Sequence, residues 1–144
     1  MKHFTLLLIL LFLSGCGNNI KLGGKVVFPD GQPLETGIIY FAAPDFFARA
    51  AIRPDGTYDV GSLSAKDGLP PGKYKVYIYG AIQSSGKKNV KQTIVGDDGK
   101  SKTVEAEEDI FSPLIAGKFT SIDTTPLEVE VPGENVYNIT VERP

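Results

Sequence analysis

The sequence predicts an all-β protein: a β-sandwich of short strands, preceded by an export signal. Three observations carry this. Short segments rich in Val, Ile, Tyr and Phe alternate with turn signals along the chain. The 16 glycines and 10 prolines among 144 residues are spread as punctuation and are not gathered into one tract. No segment beyond the first fifteen residues shows a helical apolar period with caps.

The N-terminus is of another kind. Lys2 gives a positive start, and Phe4 to Leu13 then run almost without a polar atom. Ten helical residues reach only about 15 Å, roughly half the hydrocarbon thickness of a bilayer, so the run is too short to span one. A positive start, a short apolar run and small residues make a secretory signal over residues 1–15. Leu13-Ser14-Gly15-Cys16 resembles the lipobox of bacterial lipoproteins, in which the cysteine is acylated and becomes the first mature residue. The resemblance implies lipid attachment at Cys16, a membrane partner through that anchor, and a short tether over residues 16–21. Gly17 follows where inner-membrane retention favours Asp, which places the protein in the cell envelope, at the outer membrane.

Cleavage at that point narrows the chemistry. The only histidine, His3, leaves with the signal, and the only cysteine, Cys16, is capped by lipid. A Ser-His-Asp triad, a Cys-His pair and a zinc site of His or Cys ligands are then excluded, so no catalytic residue, no metal and no cofactor is expected. Loss of Lys2 from 15 basic residues leaves 14 against 17 acidic, a charge of −3, which gives no support to nucleic-acid binding.

Removing residues 1–15 of the 144 leaves 129, the length of one domain. Lys21–Phe28 reads as the first strand, closed by the Pro29-Asp30-Gly31 turn. Gly37–Ala42 is the second and Phe46–Ile52 a third. Pro54-Asp55-Gly56 turns the chain into Thr57–Val60. Pro70-Pro71-Gly72 leads into Tyr74–Tyr79, with Tyr74, Val76 and Ile78 on one face and Lys75, Tyr77 and Tyr79 on the other. Leu127, Val129 and Val131 alternate with Glu128 and Glu130. After Pro132-Gly133-Glu134-Asn135, the last strand turns Tyr137, Ile139 and Val141 inward.

Gly24-Lys25-Val26-Val27-Phe28-Pro29-Asp30-Gly31-Gln32-Pro33-Leu34 resembles the opening of carboxypeptidase regulatory-like, or transthyretin-like, domains. Pro54-Asp55-Gly56-Thr57-Tyr58 and Leu69-Pro70-Pro71-Gly72-Lys73-Tyr74-Lys75-Val76 are similar to two further motifs of that family, and the likeness covers residues 22–142. It implies a Greek-key sandwich of seven to eight strands that serves as a non-catalytic structural or accessory module. The hydrolytic branch of the family relies on histidines and a particular C-terminal tetrapeptide; this chain keeps no histidine once the signal is removed, and it ends Val141-Glu142-Arg143-Pro144. Lipoproteins of this type often carry Ile-Pro-x-Lys-Tyr before the closing strands; here the segment is Ile115-Ala116-Gly117-Lys118-Phe119.

Other constellations read as structure. Asp30-Gly31, Asp55-Gly56 and Asp97-Asp98-Gly99 lack the alternating oxygen ligands of a calcium loop and read as hairpin turns. Glu105, Glu107, Glu108 and Asp109 read as a solvated face. Residues 81–110 form a long loop insertion, too long for an ordinary connection. Thr93–Val95 and Lys102–Val104 flank Gly96–Lys100 as a small extra hairpin, and a fold-back would bring the basic start of the stretch near its acidic end. Tyr77 and Tyr79 beside Lys75 offer a binding face for a protein or polysaccharide partner; an outward aromatic cluster would favour that use over a purely structural role.

Overall fold

A computed structural model describes residues 19–61, 67–133 and 135–144. The signal expected over residues 1–15 and the lipidation expected at Cys16 lie outside the described residues. Within them, the regular structure is strand, apart from one 3₁₀ turn at Gly117–Phe119, so the protein is all-β. The strands are β1 (Gly23–Val27), β2 (Ile38–Ala43), β3 (Phe46–Ala51), β4 (Thr57–Asp59), β5 (Gly72–Tyr79), β6 (Ile82–Val95), β7 (Ser101–Pro113), β8 (Leu127–Val131) and β9 (Ile139–Thr140).

These strands form a three-stranded sheet in the order β4-β1-β9, a four-stranded sheet in the order β3-β2-β5-β8, and a separate ribbon of β6 and β7. All pairings are antiparallel except β1 with β9, where Val26 and Val27 run parallel to Ile139 and Thr140. Asp-Gly turns set the corners. Asp30 accepts from the Gln32 backbone N–H at 3.0 Å, and Gly31 supplies the positive φ of 83° that the turn needs. That N–H also holds the Asp30 carboxyl below its ordinary pKa. Asp55 likewise accepts from the hydroxyl and the N–H of Thr57, which lower its pKa.

Period-two patterning builds the core. On β5, Tyr74, Val76 and Ile78 are buried, while Lys73, Lys75, Tyr77 and Tyr79 point away. Ile39 and Phe41 of β2, Ala48 and Ala50 of β3, Val26 of β1, Tyr58 of β4 and Ile139 of β9 join them in one apolar cluster drawn from both sheets. Each fully buried large apolar side chain contributes roughly 1.5–3 kcal/mol. Gly24 makes a close approach possible. A methyl there would overlap the Tyr137 carbonyl oxygen, and its absence lets the Tyr58 hydroxyl donate to that same oxygen. Ile115 and Phe119, the apolar ends of the Ile115–Phe119 segment, are both buried around the 3₁₀ turn.

The stretch 81–110 differs from its sequence reading in extent. Pairing is not confined to 93–104: it runs from Ile82↔Pro113 to Val95↔Ser101, with one irregularity between Ser84 and Gly86. The ribbon is exposed along almost all its length. The expected approach of its basic and acidic ends does occur, with Lys87–Glu107 at 3.1 Å and Lys88–Glu108 at 3.4 Å. The four acids are thus strand residues: Glu105, Glu108 and Asp109 oppose Lys91, Lys88 and Lys87, and Glu107 opposes Asn89. Being exposed, such pairs serve register more than stability.

Candidate functional site

The outer face of the four-stranded sheet is the candidate site, and it assembles by strand register. Inward residues of β2, β3 and β5 fill the core, so their neighbours must point outward. Register then sets Tyr40 of β2 between Arg49 of β3 and Tyr77 of β5. One row along, Ala42 stands between Phe47 and Lys75, and Lys75 faces Glu128 of β8. In the opposite direction, Ile38 lies between Ala51 and Tyr79. The result is a continuous aromatic and apolar strip across three strands.

Its centre is a ring pair. Tyr40 and Tyr77 stack with centroids 5.1 Å apart and planes 10° from parallel. One ring face of each is therefore turned on the other, and the pair offers its hydroxyls and outer surfaces. Phe47 and Tyr79, 66% and 64% exposed, flank it on neighbouring rows and keep large apolar surface in water. Beyond Lys75 the strip opens into a recess of about 520 Å³. Ala43, Pro44, Ile122 and the Lys75–Glu128 pair of positions border it.

The charges around the strip differ in how they are engaged. Lys73 is 3.8 Å from Glu130. Among the described residues, the side chains of Arg49 and Lys75 make no ion pair, so two cations stand beside the stacked tyrosines with their donors uncommitted.

In two other grooves the arginines are already paired. One of about 480 Å³ runs along Gly23, Gly24 and Asn135, but its Arg53 is paired with Asp59 and also donates to Thr57 at 2.9 Å. Its Tyr58 hydroxyl is spent on the Tyr137 carbonyl, and burial pushes the Tyr58 pKa far above the ordinary tyrosine range. The second, about 550 Å³ at the ribbon base, contains Arg143, which pairs with Asp30 at 2.9 Å and lies 3.9 Å over the Phe28 ring. No group of three or more metal-ligating side chains occurs among the described residues.

The structure thus brings Tyr77, Tyr79 and Lys75 to one face, as their alternation on β5 predicts. It adds Tyr40, Ile38, Phe47 and Arg49, which sequence reasoning missed. The available signal was β2 itself: Ile38-Ile39-Tyr40-Phe41 is apolar at four successive positions, so one of its faces must leave aromatic or aliphatic groups outside the core. Cys16 lies outside the described residues. No protein-family model, no curated protein and no solved structure matches the chain.

Proposed function

We propose that the protein is a lipid-anchored, non-enzymatic binding module of the bacterial cell envelope, its two sheets forming a Greek-key sandwich of the transthyretin-like kind. The outer aromatic strip is its binding surface. The observation that carries this reading is the Tyr40–Tyr77 stack, flanked on one sheet face by exposed Phe47 and Tyr79 and by the uncommitted cations Arg49 and Lys75. A purely structural module would have no use for so much aromatic surface in water.

The arrangement favours an extended peptide segment as ligand. Apolar surface lies beside hydrogen-bond donors along a straight strip, and the charged donors suit carboxylates and backbone carbonyls. A polysaccharide is the second reading, favoured by Tyr79, whose exposed ring can stack on a sugar.

The test places a photo-cross-linking residue at position 79 of the full chain in its native envelope, with position 103 on the ribbon as control. The expected result is an adduct from position 79 that Tyr77→Ala diminishes about tenfold, the loss of one good aromatic anchor. Its chemical nature then distinguishes peptide from glycan. Adducts from position 103 alone would move binding off the sheet.

A further inference from the structure

On the outer face of the four-stranded sheet, Ala42 is a small side chain bordered by large ones. Phe47 and Lys75 stand on either side of it in one row, and Arg49, Tyr40 and Tyr77 form the next row. The six residues make a rectangle of two rows on three strands. Arg49 and Lys75 hold one pair of opposite corners, Phe47 and Tyr77 the other. Tyr40 and Ala42 lie between them on the middle strand.

The sheet fixes the dimensions of this rectangle. Arg49 and Lys75 are two strand spacings apart across the sheet and two residues apart along it, which separates their Cα atoms by about 12 Å. Among the described residues neither makes an ion pair. The midpoint of their diagonal falls between Tyr40 and Ala42. There the single methyl of Ala42 leaves a gap beside the Tyr40 ring, with exposed Phe47 on one side and Tyr77 on the other. Ala42 and Lys75 also line the recess of about 520 Å³.

We infer, on the reading of the strip as a peptide-binding surface, that this rectangle selects the sequence of the bound segment. The ligand is an extended peptide with two acidic side chains four residues apart and a large apolar side chain midway between them. An extended chain turns every second side chain to one face, at intervals of about 7 Å. Two intervals span about 14 Å, and the flexible stems of Arg49 and Lys75 absorb the difference from the diagonal. One interval is too short for that distance and three are too long. The first and fifth residues then set carboxylates on the two cations, and the third stands over Ala42 among Tyr40, Phe47 and Tyr77.

Glu128 and Glu130 limit the acids to two. They lie on β8, opposite Lys75 and Lys73, on the side of β5 away from Ala42. An acid carried one interval further along the diagonal would meet both carboxylates, and like charges in opposition repel. Ion pairs this exposed choose among sequences more than they add affinity.

The test applies the full chain in detergent to surface-bound peptides randomised at five successive positions. Bound sequences should carry Asp or Glu at the first and fifth positions and Leu, Ile or Phe at the third. Arg49→Gln and Lys75→Gln should each weaken capture about threefold, a difference that high salt removes. Arg49→Glu should exchange one of the two acids for Lys or Arg and keep the spacing. Ala42→Phe fills the gap and should erase the preference at the third position. Thermal melting confirms that each variant keeps its fold. Peptides that bind without the acidic spacing, yet are lost with Tyr77→Ala, overturn the selection and leave the strip a peptide surface. A pattern unmoved by Arg49→Glu or by Ala42→Phe overturns it as well. Capture of an acidic polysaccharide and of no peptide overturns the selection together with the peptide reading, and so does capture of neither.

Discussion

Tyr58 shows how one buried hydroxyl ties the fold to pH. Its ring fills the core beside Phe41, 6.1 Å between centroids, and its hydroxyl reaches the Tyr137 carbonyl through the space Gly24 leaves. Burial is the main cause of its raised pKa, with Tyr137 second. Burial also raises Tyr74 and Tyr137, the latter helped by Glu128. A group whose folded-state pKa is raised contributes full stability below its unfolded pKa and loses it as pH rises beyond that value. Stability should therefore hold to about pH 10, the unfolded tyrosine value, and fall above it. Tyr58→Phe should cost about 1–2 kcal/mol at pH 8, because it strands a buried carbonyl, and should flatten the alkaline decline. Urea unfolding at pH 8 and pH 11 measures both; an unchanged alkaline slope would assign the titration to other groups.

Strands whose apolar and polar residues alternate were legible in the sequence, because a half-buried strand writes its core into every second position. β5, β8 and the Tyr137–Val141 segment are cases, with Ile139 and Val141 buried and Asn138 and Thr140 exposed. The stems of the ribbon were not legible, because neither face of β6 or β7 enters the core and the strands alternate little but charge. Their signal was symmetry about the turn: Lys88 lies as far before Gly96 as Glu108 lies after Lys100. The aromatic strip was half legible for a different reason. Alternation puts Tyr77, Tyr79 and Lys75 on one face of β5, but only the order β3-β2-β5 brings Tyr40, Phe47 and Arg49 beside them. Independence of the ribbon has a direct test. Replacing residues 83–108 by a short Gly-Ser linker leaves buried Ala81 and Ile115 in place and changes loop-closure entropy by only about 1 kcal/mol. The shortened protein should melt cooperatively near the wild-type temperature by circular dichroism; an unfolded product would make the ribbon part of the core.

At the level of the molecule, the proposed anchor and the described body are joined by very little chain. From Cys16 to the first residue of β1 at Gly23 there are seven steps, at most about 25 Å when extended, so a body held by lipid at Cys16 stays close to the headgroups. Cys16→Ala should abolish lipid attachment and processing as a lipoprotein. Incorporation of labelled fatty acid by the variant to the wild-type level would refute lipid attachment at Cys16. The body itself is closed by its two ends: β9 lies parallel to β1, Val141 donates to the Val27 carbonyl at 3.0 Å, and Tyr137 donates to that of Gly23 at 2.8 Å. Time therefore enters the fold. A polypeptide emerging from a ribosome, or threading a membrane pore, delivers β1 first and β9 last, more than a hundred residues apart. The three-stranded sheet is incomplete until that last strand arrives, and contacts so distant in sequence form slowly. Until then β1 has only β4 beside it, and the last residues made are the ones that close the sheet begun by the first.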